Sequence, residues 1–134
     1  MSEPREPQTI AAVAVGGVIG ATARWAVGTQ LSPGAIEGFP WHTFVVNVVG
    51  CLLIGVAAAR IARPSIAWAF VATGVLGGFT TMSGLAVELN DLAEAGETTT
   101  LVTYLVATLV VGFGALLAAE RLNGHLSDDP EGIE

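Results

Sequence analysis

Apolar residues run along this chain in four long blocks, with every charged residue except Arg24 in the ends and the connections between them. The blocks are Ile10–Gly28, Thr43–Ala59, Ser65–Val87 and Thr98–Ala119. Each is close to the ~20 residues a helix needs to cross a bilayer. None contains a proline. Pro4, Pro7, Pro33, Pro40, Pro64 and Pro130 all lie between or outside the blocks, where proline ends helices instead of interrupting them. The pattern predicts an all-α integral membrane protein, with helices over about 10–28, 43–59, 65–87 and 98–119 and polar tails at 1–9 and 120–134. Buried helices of a soluble protein are the alternative, but soluble helices rarely run this long without charge. The connections leave no space for an extramembrane domain, so the chain is a single membrane domain and its work is done inside the bilayer.

Polar residues inside the blocks carry the next layer of information. Arg24 lies four residues from the end of the first block. A charge at depth costs about 2.5–3.5 kcal/mol at the helix centre, so Arg24 either snorkels to the interface or has a specific partner. Asn47, in "VVNVVG", bonds a neighbouring helix or lines a wet path; single intramembrane amides more often pair between helices. In "GGFTTMS", residues 77–83, two glycines precede two threonines and a serine. Glycine weakens a helix by up to about 1 kcal/mol relative to alanine, and this cluster predicts a break in the third helix near 77–81. A break at membrane depth is tolerated only where the freed backbone is buried in protein or faces a cavity, and freed carbonyls coordinate cations. Close packing through small residues, as in Gly16-x3-Gly20 and Gly74-x3-Gly78, is the competing reading. In the fourth block Tyr104, Thr108 and Gly112 recur every four residues and share one face. That face is either a hydroxyl track or a helix contact, and a threonine can also satisfy itself on its own helix.

Composition agrees with the blocks: of 134 residues, 52% are hydrophobic and 13% charged, where soluble domains carry about 25% charge. The chain has no lysine and a net charge of -7, which excludes a nucleic-acid surface and would suit a salt-rich setting. The first block has an acidic-leaning tail before it and no cleavage-site pattern, so it is not read as a signal peptide. One cysteine, Cys51, makes neither an intramolecular disulfide nor a metal cluster and is read as a packing residue. His42 and His125 stand at block ends and are expected to be exposed, and Phe39 and Trp41 suit the interfacial aromatic belt. No nucleophile–base pair, P-loop or metal-ligand cluster is present, so an enzyme is not expected. Arg5, Arg60, Arg63 and Arg121 all fall on the side of the termini, which the positive-inside rule places in the cytoplasm.

Taken together, "GGVIGATARW" in block one, Val46-Asn47-Val48-Val49-Gly50 in block two and Gly77 to Ser83 followed by Glu88 in block three resemble the Fluc-type fluoride channels of the CrcB family. The resemblance runs from Gly16 to about Gly112. It implies an antiparallel, dual-topology-type dimer in the plasma membrane with two narrow fluoride pathways. It also implies a structural sodium ion held by backbone carbonyls at Gly77 and Thr80, and pathway roles for Asn47, Ser83, Tyr104 and Thr108. Arg24 and Glu88 take structural or vestibule roles. The family pattern "TTFSTF" reads "TTMSGL" here, so Met82 and Leu85 stand where two phenylalanines line the pathway. Their side chains lack the positive aromatic edge that faces an anion.

Three functions follow as expectations. The first is a fluoride channel subunit that lets the ion leave the cytoplasm passively and so reduces its toxicity. The second is a non-conducting partner that completes another subunit's channel; a one-sided arginine distribution and missing phenylalanines both suit half of a heterodimer. The third is a small four-helix multidrug exporter, which needs an intramembrane acid that block one lacks. Homodimer and heterodimer both remain open on the sequence.

Overall fold

The computed structural model describes residues 6–31 and 38–124, and every regular element among them is helical. Helix α1 is Glu6–Leu31 and α2 is Trp41–Arg60. Helix α3 occupies 66–79 in three joined pieces, α-helical Ile66–Trp68, π-helical Ala69–Leu76 and α-helical Gly77–Phe79. Helix α4 is Met82–Glu94 and α5 is Thr98–Gly124. Four segments are long and apolar enough to cross a membrane: Glu6–Gln30, Trp41–Arg60, Ile66–Glu94 and Thr98–Leu122. The third is the pair α3–α4, interrupted at Thr80 and Thr81. Arg5 and His125 lie outside the described residues.

The helices run past the apolar blocks. α1 starts at Glu6 and α5 continues to Gly124, because the hydrogen-bond ladder carries on through the headgroup region where polar side chains are wetted. Even the second and best-covered span has only 28% of its most apolar window buried within the chain. The rest of its surface, including Val45, Val49, Leu52 and Leu53, is left for lipid or another subunit.

Two close pairs build the bundle, and glycine sets both. α1 lies parallel to α3. A Cβ on Gly16 would reach the Phe70 carbonyl oxygen at 2.5 Å, one on Gly78 would reach the Gly17 carbonyl oxygen at 2.5 Å, and one on Gly20 would collide with the Val75 carbonyl oxygen. Backbone against backbone is the small-residue contact that membranes favour, because dispersion and not the hydrophobic effect holds helices together there. α2 lies parallel to α5 in the same way: a Cβ on Gly55 would collide with the Leu116 carbonyl oxygen, and Gly112 leaves space for the Cys51 sulfur. Cys51 is half-buried in that seam, as a packing residue would be. At the loop end, Phe39 packs its ring 4.6 Å from Trp41 and 5.3 Å from Tyr104, tying the α1–α2 connection to the fourth span. At the opposite face the Arg63 guanidinium lies 3.8 Å over the Trp68 ring.

The glycine contacts give a sharp contrast. Gly20→Ala forces a methyl into α3 backbone, an overpacking that costs about 1–3 kcal/mol, and lowers the thermal midpoint of the protein in detergent. Gly17→Ala adds its methyl where nothing lies within 4 Å and leaves the midpoint unchanged or raises it slightly, since alanine favours a helix over glycine by up to about 1 kcal/mol.

Candidate functional site: a helix break between two hollows

At the end of α3 the backbone leaves the helix. Thr80 takes φ -73° and ψ 159°, Thr81 takes φ -146° and ψ 118°, and α4 begins at Met82. Local chemistry explains both ends. Threonine is β-branched and comfortable in extended backbone. The Thr81 hydroxyl accepts from the Gly84 amide at 3.0 Å, a side-chain N-cap that starts α4. The Thr80 hydroxyl bonds back to the Leu76 carbonyl at 3.0 Å and closes α3.

The break is gripped from two neighbouring helices. Asn47 on α2 donates through Nδ2 to the Thr81 carbonyl at 3.0 Å, and its Oδ1 accepts from the Thr81 amide at 2.8 Å. One side-chain amide thus satisfies both backbone groups of the extended residue. Arg24 on α1 donates from Nη1 to the Thr80 carbonyl at 2.8 Å. Of the two readings open for Arg24, the specific intramembrane partner is the one observed. Its positive charge also lies at the C-terminal end of α3, where the helix dipole favours a cation. Gly16, Gly20, Gly74 and Gly78 serve packing, and the break follows them by two residues. The helix break and the close glycine packing therefore both occur, in adjacent parts of the stretch.

Two hollows flank the break. The larger, of about 780 Å³, is lined by Arg24, Trp25, Gly28, His42, Thr43, Thr81, Ser83 and Glu88 among others. Its lining includes Gly28 and His42, near the end of α1 and the start of α2. The smaller, a groove of about 240 Å³, is lined by Asn47, Cys51, Thr80, Thr81, Met82, Leu85, Thr108, Gly112 and Phe113 with two further apolar residues. Thr81 lines both.

The residues singled out from the sequence therefore divide. Asn47, Thr80, Met82, Leu85 and Thr108 meet at the groove, while Arg24, Ser83 and Glu88 meet at the cleft. The Ser83 hydroxyl lies 3.2 Å from that of Thr81. Tyr104 lines neither hollow. Its side chain is fully buried, and its hydroxyl donates to Glu88 Oε2 at 2.5 Å. Thr43 donates to the other carboxylate oxygen at 2.6 Å. Glu88 is therefore held by two hydroxyl donors from α2 and α5, which compensates a carboxylate taken from bulk water. Gly77 is not among the lining residues.

Thr43 and Phe113 were not singled out in the sequence. Thr43 is one hydroxyl at the start of an apolar block, and nothing in its spacing points to a glutamate 45 positions away. Phe113 reads as one more lipid-facing ring. His42 differs from its expected exposure: it is half-buried, and its Nε2 is shielded beside Gly28 without a hydrogen-bond partner. Thr108 is 6% exposed, and its hydroxyl also has no partner. Thr22, Thr29 and Thr80 all bond back to their own helices; Thr108 does not.

Among the described residues no three His, Cys, Asp or Glu side chains converge as a metal site, so a cation here would rest on backbone oxygens. The break suits that. The Thr81 amide, which an unbroken helix would aim at the Gly77 carbonyl, is turned to Asn47. A Cβ at Gly77 would meet only the Ala72 oxygen, at 3.8 Å, so packing within the chain does not demand a glycine there. The Thr80 carbonyl holds one donor, and a carbonyl has two lone pairs.

Residues 11–119 match the family model described as CrcB-like protein, Camphor Resistance (CrcB). The chain belongs to the CrcB family. Among its relatives is Fluoride-specific ion channel FluC 2 of Streptomyces avermitilis, 50% identical over 109 residues, which are 75% of this chain and 65% of that protein. The chain thus spans just under two thirds of that relative. Fluoride-specific ion channel FluC of Nitrobacter winogradskyi is 38% identical over 117 residues, 84% of this chain and 93% of that one. That of Agrobacterium fabrum is 41% identical over 121 residues, 87% and 97%. With its four spans, this CrcB chain is a multi-pass membrane protein.

Asn47→Leu removes both bonds to Thr81 and leaves a half-buried amide and carbonyl without their partners, at up to about 1–3 kcal/mol for each group. A thermal scan in detergent is expected to give a clearly lower midpoint. Thr22→Val, which deletes a hydroxyl bonded to its own helix, serves as the control and leaves the midpoint near that of the parent.

Proposed function

We propose that this chain is a subunit of a fluoride-selective channel that lets fluoride leave the cytoplasm passively and so limits its toxicity. Relatives 38–50% identical to it over 109–121 aligned residues are named fluoride-specific ion channels. The observation that carries the reading is the groove at the break, where the Asn47 amide and the orphaned Thr108 hydroxyl share one space. Fluoride is small and strongly hydrated. A path that selects it replaces its water with neutral donors, and a fixed positive charge at the narrowest point would trap it. Hydroxyls and an amide meet that requirement. The cleft holds Arg24, whose charge attracts an anion from solution, beside Ser83 and Thr81.

The working unit in this reading is an antiparallel dimer. Its second copy covers part of the apolar surface that each span leaves exposed. Gly77 and Thr80 carbonyls would hold a structural sodium ion, since both lie at the C-terminal end of α3 and oxygens of that kind suit a hard cation. Arg24 already occupies one side of the Thr80 oxygen, so the ion approaches from the other. Met82 and Leu85 take the places of the family's two phenylalanines, which leaves those two positions without an aromatic edge.

A non-conducting half of a heterodimer is the second reading, favoured by one observation. Arg60, Arg63 and Arg121 all lie at the α2–α3 and α5 ends, on the side of the termini, a bias that fixes orientation with the termini in the cytoplasm. The purified chain, alone in liposomes, discriminates. Fluoride efflux with C-terminal tags facing both ways is the result expected of a homodimeric channel. A single orientation with no efflux until a second subunit is added establishes the partner role. In the conducting protein, Asn47→Asp is expected to cut the flux per assembled dimer by about tenfold or more, because a carboxylate both loses the donor and repels an anion at a cost of about 1.4 kcal/mol or greater.

A further inference from the structure

The groove at the break has one aromatic side chain in its lining, and it comes from the fourth span. Phe113 on α5 lines the groove together with Met82 and Leu85 of α4. Met82 and Phe113 are 75% and 64% exposed, so they form the rim, while Leu85, at 3%, and Thr108, at 6%, form the floor. The donors of the groove are few. The Thr108 hydroxyl has no partner, and the Asn47 amide has one N–H committed to the Thr81 carbonyl and a second not so committed. An anion entering this space needs further positive potential, and the apolar remainder of the lining offers it from a single source. The edge of a benzene ring carries partial positive charge, and its face carries negative. Neither the Met82 thioether nor the Leu85 methyls provide it.

We propose that Phe113 is a selectivity-determining residue of the fluoride pathway, presenting its ring edge to the anion held by Thr108 and Asn47. The inference rests on the fluoride-channel reading and deepens it. The chain then supplies its own aromatic edge, from α5, without one at position 82 or 85. A small, hard anion gains most from such an edge, since the potential falls quickly with distance and a larger halide keeps its charge farther away. The ring thus favours fluoride over chloride as well as raising its flux.

The test uses the purified full-length chain in liposomes, with fluoride and chloride efflux measured separately and dimer content checked by size exclusion. Phe113→Leu keeps apolar bulk and removes the edge. Its fluoride efflux is expected to fall roughly two- to tenfold, the span of an aromatic-edge contact, while the dimer persists. Phe113→Tyr retains the edge and retains the flux. Pentafluorophenylalanine at position 113 keeps the shape of the ring but reverses the charge of its edge, and it is expected to conduct fluoride less well than the leucine variant. This last protein keeps the test decisive if Phe113→Leu fails to assemble. A wild type that conducts fluoride beside leucine or pentafluorophenyl variants that conduct equally well overturns the assignment of Phe113 and leaves the channel reading intact. A wild-type chain that passes no fluoride on its own overturns both.

Discussion

Two hydrogen bonds between the Asn47 side chain and the Thr81 backbone hold the centre of this molecule together. A membrane helix keeps its backbone polar groups paired within itself because lipid offers no substitute. Thr81 leaves the helix, and Asn47 takes over both of its pairings at 2.8 and 3.0 Å. Without that amide the extended conformation would strand an N–H and a C=O in an apolar setting, and the unbroken helix would be the lower state. With it, the third span becomes two half-helices. Their opposed ends face the middle of the bundle, the negative end of α3 under Arg24 and the positive end of α4 capped by Thr81. The extended Thr81 lines both hollows.

The glycine seams make the break reachable. α1 approaches α3 backbone to backbone at Gly16, Gly20 and Gly78, close enough for the Arg24 side chain to reach Thr80 without stretching along the surface. α2 approaches α5 at Gly55 and Gly112, which brings Asn47 and Thr108 to one groove. A methyl group at Gly16, Gly20, Gly55 or Gly78 would meet backbone of the facing helix and force the pair apart.

Glu88 is a second, half-buried polar centre of a different kind. Its carboxylate accepts from Thr43 and Tyr104, which belong to two other helices. The arrangement ties α2, α4 and α5 at the mouth of the cleft and fixes the tyrosine ring against Phe39. Tyr104 shares a helical face with Thr108, but the two hydroxyls have separate destinies: one is consumed by the carboxylate and the other is left open to the groove. The polar face of α5 is thus part structure and part site.

Spans, their number and the interruption of the third were legible in the sequence because each depends on local composition: runs of about 20 apolar residues, prolines outside them, and glycines followed by hydroxyls. The types of residue that collect at the break were legible too, since Arg24 and Asn47 are costly in lipid and declare themselves by that cost. Their partners were not. Spacing along a chain cannot say that Asn47 bonds Thr81, that Thr43 reaches Glu88, or that the Thr108 hydroxyl is left without a partner, because each of these is a distance between separate helices. Phe113 gave no signal at all: a phenylalanine in an apolar span looks the same whether it meets lipid or an anion path. Composition decided that the chain crosses the membrane four times and breaks once; the packing of one helix against another decided which polar groups are spent on the fold and which are left to meet a solute.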